Sequence, residues 1–273
     1  MPSSACSATP LLSAMTSDLE RAAAFEEAIW DACAERIVPS SLGTAVFNDT
    51  LHRVWSLNVL RVENADASAE EMAAEAERLQ GEAGLLHRRV FVADSDAGRE
   101  VEEPFTALGW KTDAFVFMVP TRAPNREVDL SAVVEVEREA LAPLEEAIIR
   151  ETLPDVDEET VHQIQEANRM VAEAGRARHF AVVIDGAVVS STDLYSDGST
   201  AQIEDVGTLA EHRGRGYASA VIIHARAEAR ATGADFVFLV ADARDWPKEL
   251  YRRLGFDAAG EKYAYLLSPI PAG

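Results

Sequence analysis

An α/β protein, with a mixed sheet flanked by helices and split into two successive domains, is what the sequence predicts. Three observations carry that prediction. Short runs rich in Val, Phe and Leu, such as "RRVFVAD" and "DFVFLVA", alternate with longer segments of Ala, Glu and Leu at helical spacing. Near the middle of the 273 residues, "PTRAPNREVD" (120–129) sets two prolines among polar residues, which is linker chemistry. Finally, "VFVADSDAGREVEEPFTALGW" (90–110) and "FLVADARDWPKELYRRLGF" (238–256) share a strand, an Ala-Asp turn, a helix and a terminal Leu-Gly-aromatic, which suggests duplication.

Taken in order, residues 1–17 lack a basic segment followed by an apolar core and read as a flexible extension rather than a leader. Residues 18–38 read as a helix with acidic and apolar residues interleaved. "TAVFND" and "VWSLNVLRVE" are apolar enough for strands, 68–85 is helical, "RRVFVAD" is a buried strand, "REVEEPFTALGW" a helix and "DAFVFMV" a strand. The first domain is thus expected over 18–122 and the second over 123–273.

The second begins with "AVVEVE" and helices near 137–151 and 157–174, separated by Pro154 and the acidic "DVDEE", which suits a helix N-terminus. "HFAVVID" and "VVSSTDLY" flank Asp185-Gly186, a strong hairpin signal. The strand "AQIEDVGTL", a helix from about 217, the strand "DFVFLVA", the helix "PKELYRRLG" and a strand around "KYAYLL" complete it.

Composition excludes several classes of function. With 25 Lys and Arg against 47 Asp and Glu, the formal charge is -22, which repels nucleic acid and anionic membranes but suits an acceptor that is a cationic amine. Cys6 and Cys33 have no metal-ligand spacing, so neither a metal nor a disulfide is expected. No apolar run has the length of a membrane span, and a cytoplasmic monomer or homodimer is the expectation.

"EHRGRGYASAVIIHARAEARATG" (211–233) raises the sharpest question, because Gly214 and Gly216 weaken the start of an otherwise plain amphipathic helix. Directly after a strand, such a start leaves backbone N–H groups unpaired and attracts anions. Glycines would let the chain approach a phosphate where a Cβ would collide, and Arg213 and Arg215 would add positive charge.

In its context the segment from about 178 to 267 resembles the acyl-CoA-binding core of the GNAT superfamily of N-acetyltransferases. Arg213, Gly216 and Ala218 meet the family's R/Q-x-x-G-x-G/A signature, and Tyr251, Gly255 and Phe256 meet its closing Tyr-x-x-x-Gly-Phe. The resemblance implies a GNAT acyl-CoA N-acyltransferase fold, with acetyl-CoA as co-substrate and an amine as acceptor. Its pantetheine arm would pair with the backbone of Val206, Gly207 and Thr208. Its pyrophosphate would rest on Arg213, Gly214, Arg215, Gly216, Tyr217 and Ala218. Thr208 departs from the branched aliphatic residue common there, and Arg244 stands where relatives often carry Asn.

Acyl transfer needs a neutral amine, a polarised carbonyl and a proton for the leaving thiolate. The resemblance points to Tyr251 as the proton donor, although a tyrosine beside Leu250 and Leu254 also suits simple packing. Of Glu204 and Asp205, alternation along a strand lets only one face the acceptor; Glu204 is the candidate base, with solvent as the alternative and Asp193 as a second contact for a cationic acceptor. At the corresponding place in the first half, "NADASAEE" offers Asp66, Glu70 and Glu71 instead of arginine, as expected of a degenerate domain that shapes the acceptor cleft or braces its neighbour. An acyl-CoA-binding sensor that keeps the site without turnover is the competing reading.

Overall fold

In the computed structural model, which describes residues 17–268, Ser17 and Glu20 form a capping box that starts helix α1 (Asp18–Ala32). Residues 1–16 of the expected extension lie outside the described residues. The helix stops well short of residue 38. Its expected last turn instead forms strand β1 (Arg36–Pro39), because the β-branched Ile37 and Val38 pair with Val46 and Ala45 of β2 (Gly43–Phe47). "VWSLNVLRVE" is a strand only in its second half, β3 (Val59–Val62). Before it, the amide of buried Asn58 donates to the carbonyls of Leu51 and Val54, both at 2.9 Å, holding a turn that includes one 3₁₀ segment, Trp55–Leu57.

After β3 come α2 (Ala69–Glu82), β4 (Arg88–Val92), α3 (Ser95–Glu100), α4 (Glu102–Ala107) and β5 (Lys111–Pro120). The helix expected from Arg99 is divided at Val101, its first two residues ending a separate helix that starts at Ser95, since Pro104 has no N–H to give to the carbonyl of Glu100.

The second half runs β6 (Val133–Val136), α5 (Ala142–Thr152), α6 (Glu158–Ala174), β7 (Arg178–Ile184), β8 (Ala187–Ser196), β9 (Thr200–Thr208), α7 (Tyr217–Ala231), β10 (Phe236–Asp242), α8 (Pro247–Arg253) and β11 (Phe256–Leu267). Asp185 and Gly186 turn the β7–β8 hairpin at φ 51° and 83°, the positive values that the Asp-Gly pair predicts.

Among the described residues, all the strands join one eleven-stranded sheet in the order β1-β2-β3-β4-β11-β5-β10-β9-β8-β7-β6. Its centre is an exchange. The last strand of the first half, β5, pairs with β10 (Met118 opposite Leu239), while the last strand of the second half, β11, pairs with β4 (Tyr263 opposite Val92). The two exchanged strands also pair with each other from Phe256 opposite Pro120 to Leu266 opposite Lys111. Val116 and Met118 of β5 therefore lie in the core beneath α7, and Tyr263 and Tyr265 of β11 in the core beneath α2, where Tyr265 stacks on Phe105 at 4.0 Å. Each core is completed by the other half, so a cut at the linker would remove a central strand from both. Helices α1 and α6 pack together over one face of the junction, and Ile29, Ala167 and Val171 share a third cluster.

Candidate active site

The sheet opens where the second half meets the exchanged strands. Parallel pairing between β9 and β10 runs from Thr200 opposite Phe236 to Ile203 opposite Leu239 and ends there. Beyond it, β9 is paired with β8 alone and β10 with β5 alone. Val206, Gly207 and Thr208 thus form the side of a cleft facing β10, where an extended ligand could add to the edge. Thr208 is partly engaged: its carbonyl accepts from Arg213 Nε at 3.1 Å, and its hydroxyl shares a hydrogen with Ser190 Oγ at 2.8 Å.

At the far end of the cleft lies the start of α7. Gly214 and Gly216 have φ of 74° and 88°, in the left-handed region, and Gly216 is the N-cap with no side chain to bond the helix amides. The first helical bond runs from Ala220 N–H to Gly216 O at 3.0 Å. The N–H groups from Gly214 to Ser219 find no backbone or side-chain acceptor among the described residues. A Cβ on either glycine would meet no atom of the protein within 4 Å, so backbone conformation, not internal crowding, is what calls for glycine. Of the two arginines, Arg213 is bound to Glu151 at 2.6 Å and fastens the loop to α5, whereas Arg215 pairs with no carboxylate among the described residues and is the cation left for an anion.

The other end of the cleft is acidic. Alternation does not hold there: β9 bulges at Asp205, whose φ is 51°, and the register with β8 shifts between Ser191 and Asp193. Both Glu204 and Asp205 consequently line one cavity of about 330 Å³, contrary to the expectation that only one would face the acceptor. From the first half, Glu26, Trp30 and Trp55 line the same cavity. Gln202 donates its amide to Glu204 Oε2 at 2.9 Å and to Glu26 Oε1 at 3.1 Å, and Tyr195 donates its hydroxyl to Asp205 Oδ2 at 3.3 Å.

Loss of hydration, added to the neighbouring charges of Asp205 and Glu26, holds the Glu204 carboxyl well above the ordinary range. Asp205, although it is an exposed residue, is raised for the same first reason and then by Asp193 and Glu145. Desolvation pushes Glu26 up to about 7. Tyr251, 7% exposed, is packed in the core below α7; burial and then the charge of Glu204 raise its hydroxyl further, so it stays protonated at neutral pH and can donate.

Two other residues singled out from the sequence lie away from the cavity. Asp193 does not face the cavity, being 2% exposed and accepting a 2.7 Å hydrogen bond from His179 Nδ1. Arg244 is tied to Glu102 of the first half. Glu26, Gln202 and Tyr195 went unnoticed because each looks ordinary within its own helix or strand; only the tertiary fold brings them to Glu204.

The first half has the same order of elements and a different site. Pairing of β3 with β4 continues to Val62 opposite Val92, and Ala93 N–H extends it to Val62 O at 2.9 Å, so no cleft forms. At the start of α2, Ser68 Oγ accepts from Glu71 N–H at 3.3 Å and the Glu71 carboxylate accepts from Ser68 N–H at 2.9 Å. Among the described residues no group of three or more His, Cys, Asp and Glu is arranged to hold a metal ion.

Against known proteins, residues 141–256 match the profile of the Acetyltransferase (GNAT) family. Among solved structures, a conserved protein of unknown function from Staphylococcus epidermidis aligns at TM-score 0.66 and 18% identity, over 87% of this chain and 95% of that one. A GCN5-related N-acetyltransferase from Kribbella flavida aligns at 0.58 and 18%, over 94% and 98%. A tandem GNAT protein from the clavulanic acid biosynthesis pathway aligns at 0.52 and 15%, over 79% and 76%. No curated protein matches. Residues 141–256 thus carry the GNAT family profile, and over 79% of its length the chain shares the fold of the tandem GNAT protein.

Proposed function

We propose that the chain transfers an acetyl group from acetyl-CoA to a primary amine by direct attack, using the second half alone for CoA. The observation that carries this reading is the succession of three features along β9 and into α7: Glu204 beside the acidic cavity, the edge of β9 left unpaired with β10 at Val206 and Gly207, and the unbonded amides and Arg215 at the start of α7. In the order from α7 back to the cavity, each suits one part of the reaction. Anionic pyrophosphate fits the first part, an extended amide-bearing arm the second and a cationic acceptor the third.

Glu204, its proton affinity raised, takes a proton from the acceptor's ammonium, and Asp205 beside it is the other carboxylate able to do so. As the carbon–nitrogen bond forms, the attacking nitrogen gives up its second proton to Asp205 or water, and as the carbon–sulfur bond breaks Tyr251 gives its proton to the departing sulfur and is reprotonated from solvent. The first half supplies one wall of the acceptor cavity through Glu26, Trp30 and Trp55. No helix among the described residues is long and apolar enough to cross a membrane, so both substrates are taken to arrive from water.

Thiol release from acetyl-CoA in the presence of a panel of amines tests the reading. Amine-dependent release is expected. Tight binding of acetyl-CoA with no release from any amine would favour the non-catalytic sensor instead.

A further inference from the structure

The cavity beside Glu204 holds more carboxyl groups than removal of one proton requires. Glu26, Glu204 and Asp205 all line it, and none of them has a salt-bridge partner among the described residues. The arginines on its wall are already committed, Arg89 to Asp113 and Arg53 to Asp157 at 2.7 Å. A second observation points to a ligand. Gln202 is 2% exposed, its Nε2 is used by Glu26 and Glu204, and its Oε1 is buried without a hydrogen-bond partner. An acceptor oxygen left so forfeits its hydration unless an N–H reaches it. Aromatic and aliphatic walls from Trp30, Trp55 and Ile164 suit a methylene chain.

Resting on the transfer reading above, we propose that the acceptor is a small linear amine with two ammonium groups, the reacting nitrogen beside Glu204 and Asp205 and the second held by Glu26 and Gln202 Oε1. A monoamine would give up its one positive charge before attack and leave the carboxylates without a counter-ion. A diamine keeps one charge throughout. An adjoining cavity of about 370 Å³ shares Glu26 and Glu204, adds Glu27 and Asp242, and includes Arg61 and Arg89, which are paired with Asp31 and Asp113, so it gives the chain room past Glu26. Since Glu26 belongs to α1, the half without a CoA site would set the choice of acceptor.

The test compares 1,3-diaminopropane to 1,6-diaminohexane, each with the monoamine of equal chain length, using the full-length protein. Thiol release from acetyl-CoA and calorimetric binding of each amine are both read. For at least one length, kcat/KM should favour the diamine by about tenfold or more, as a charge-assisted contact implies. Glu26→Gln, in protein that still binds acetyl-CoA and is therefore folded, should remove most of that preference. Equal kcat/KM for diamine and monoamine at every length, or a preference untouched by Glu26→Gln, would overturn the proposal. If no amine releases thiol, calorimetry decides: preferential diamine binding lost in Glu26→Gln upholds the dication site while rejecting transfer, and equal or absent binding rejects the site.

Discussion

The starts of α7 and α2 follow equivalent strands in the two halves and offer a phosphate opposite surroundings. At α7 the preceding strand has parted from its neighbour, the N-cap is a glycine with no side chain, and Arg215 has no carboxylate partner among the described residues. At α2 the strand pair stays closed to its end, Ser68 and Glu71 occupy the capping positions, and Glu70 and Glu71 bring negative charge to the first turn. Negative charge there stabilises the helix and repels an anion, so what makes α2 a good helix unmakes it as a binding site. A fold can thus keep its topology while a few residues at one turn decide whether it holds a ligand. The first half still matters to the second, because it contributes β5 to the other core and Glu26 to the acidic cavity.

Gly216→Asp should break the comparison most severely. It sets a carboxylate at the N-cap and gives α7 the acidic capping chemistry of α2, and CoA affinity measured by calorimetry should fall at least about 100-fold while circular dichroism is unchanged. Retained affinity in a folded variant would remove the cradle from the account. Tyr251→Phe comes next: kcat should fall about 100-fold with little change in KM, because a proton donor acts in the transition state while the ring continues to fill the core. A wild-type kcat would make Tyr251 a packing residue.

The third effect depends on pH. Folding raises the Glu26 pKa from about 4.5 to about 7, so the folded protein binds the extra proton and this group's contribution is complete below about 4.5 and lost as pH rises through about 7. Glu26→Gln cannot ionise. Relative to wild type it should gain on the order of 1–2 kcal/mol between pH 5 and pH 8, allowing for solvent screening. Parallel thermal unfolding curves across that range would contradict the shift. The smallest effect sharpens the contrast from the other side. Ser68→Ala should destabilise the protein by about 1 kcal/mol through loss of the cap, visible in thermal unfolding, and should create no additional CoA binding, because Glu70 and Glu71 remain.

Much of this arrangement is legible in the sequence for identifiable reasons. Asp185-Gly186, the strand-turn-helix order around 200–231 and the R-G-R-G loop are local, and local chemistry writes them plainly. The exchange of β5 and β11 is not local. Each strand has the apolar content of a buried central strand, and nothing in "DAFVFMV" says which half it completes. The bulge at Asp205 is hidden for a related reason: a strand's alternation is read on the assumption that its register never slips, and a non-glycine residue at φ 51° gives no warning. Arg213 shows the limit for charges, since its pairing with Glu151 depends on where α5 comes to rest. The cavity is the least legible feature, assembled from α1, β9 and the turn before β3.

The central claim is that only one of the two halves holds CoA, and calorimetric titration of the full-length chain with CoA tests it most directly. The full chain is needed because either half alone would lack a strand of its core. The account predicts one CoA bound per chain, and none in Gly216→Asp. Two equivalents per chain, or one that survives Gly216→Asp, would show that the closed, acidic start of α2 binds the ligand after all.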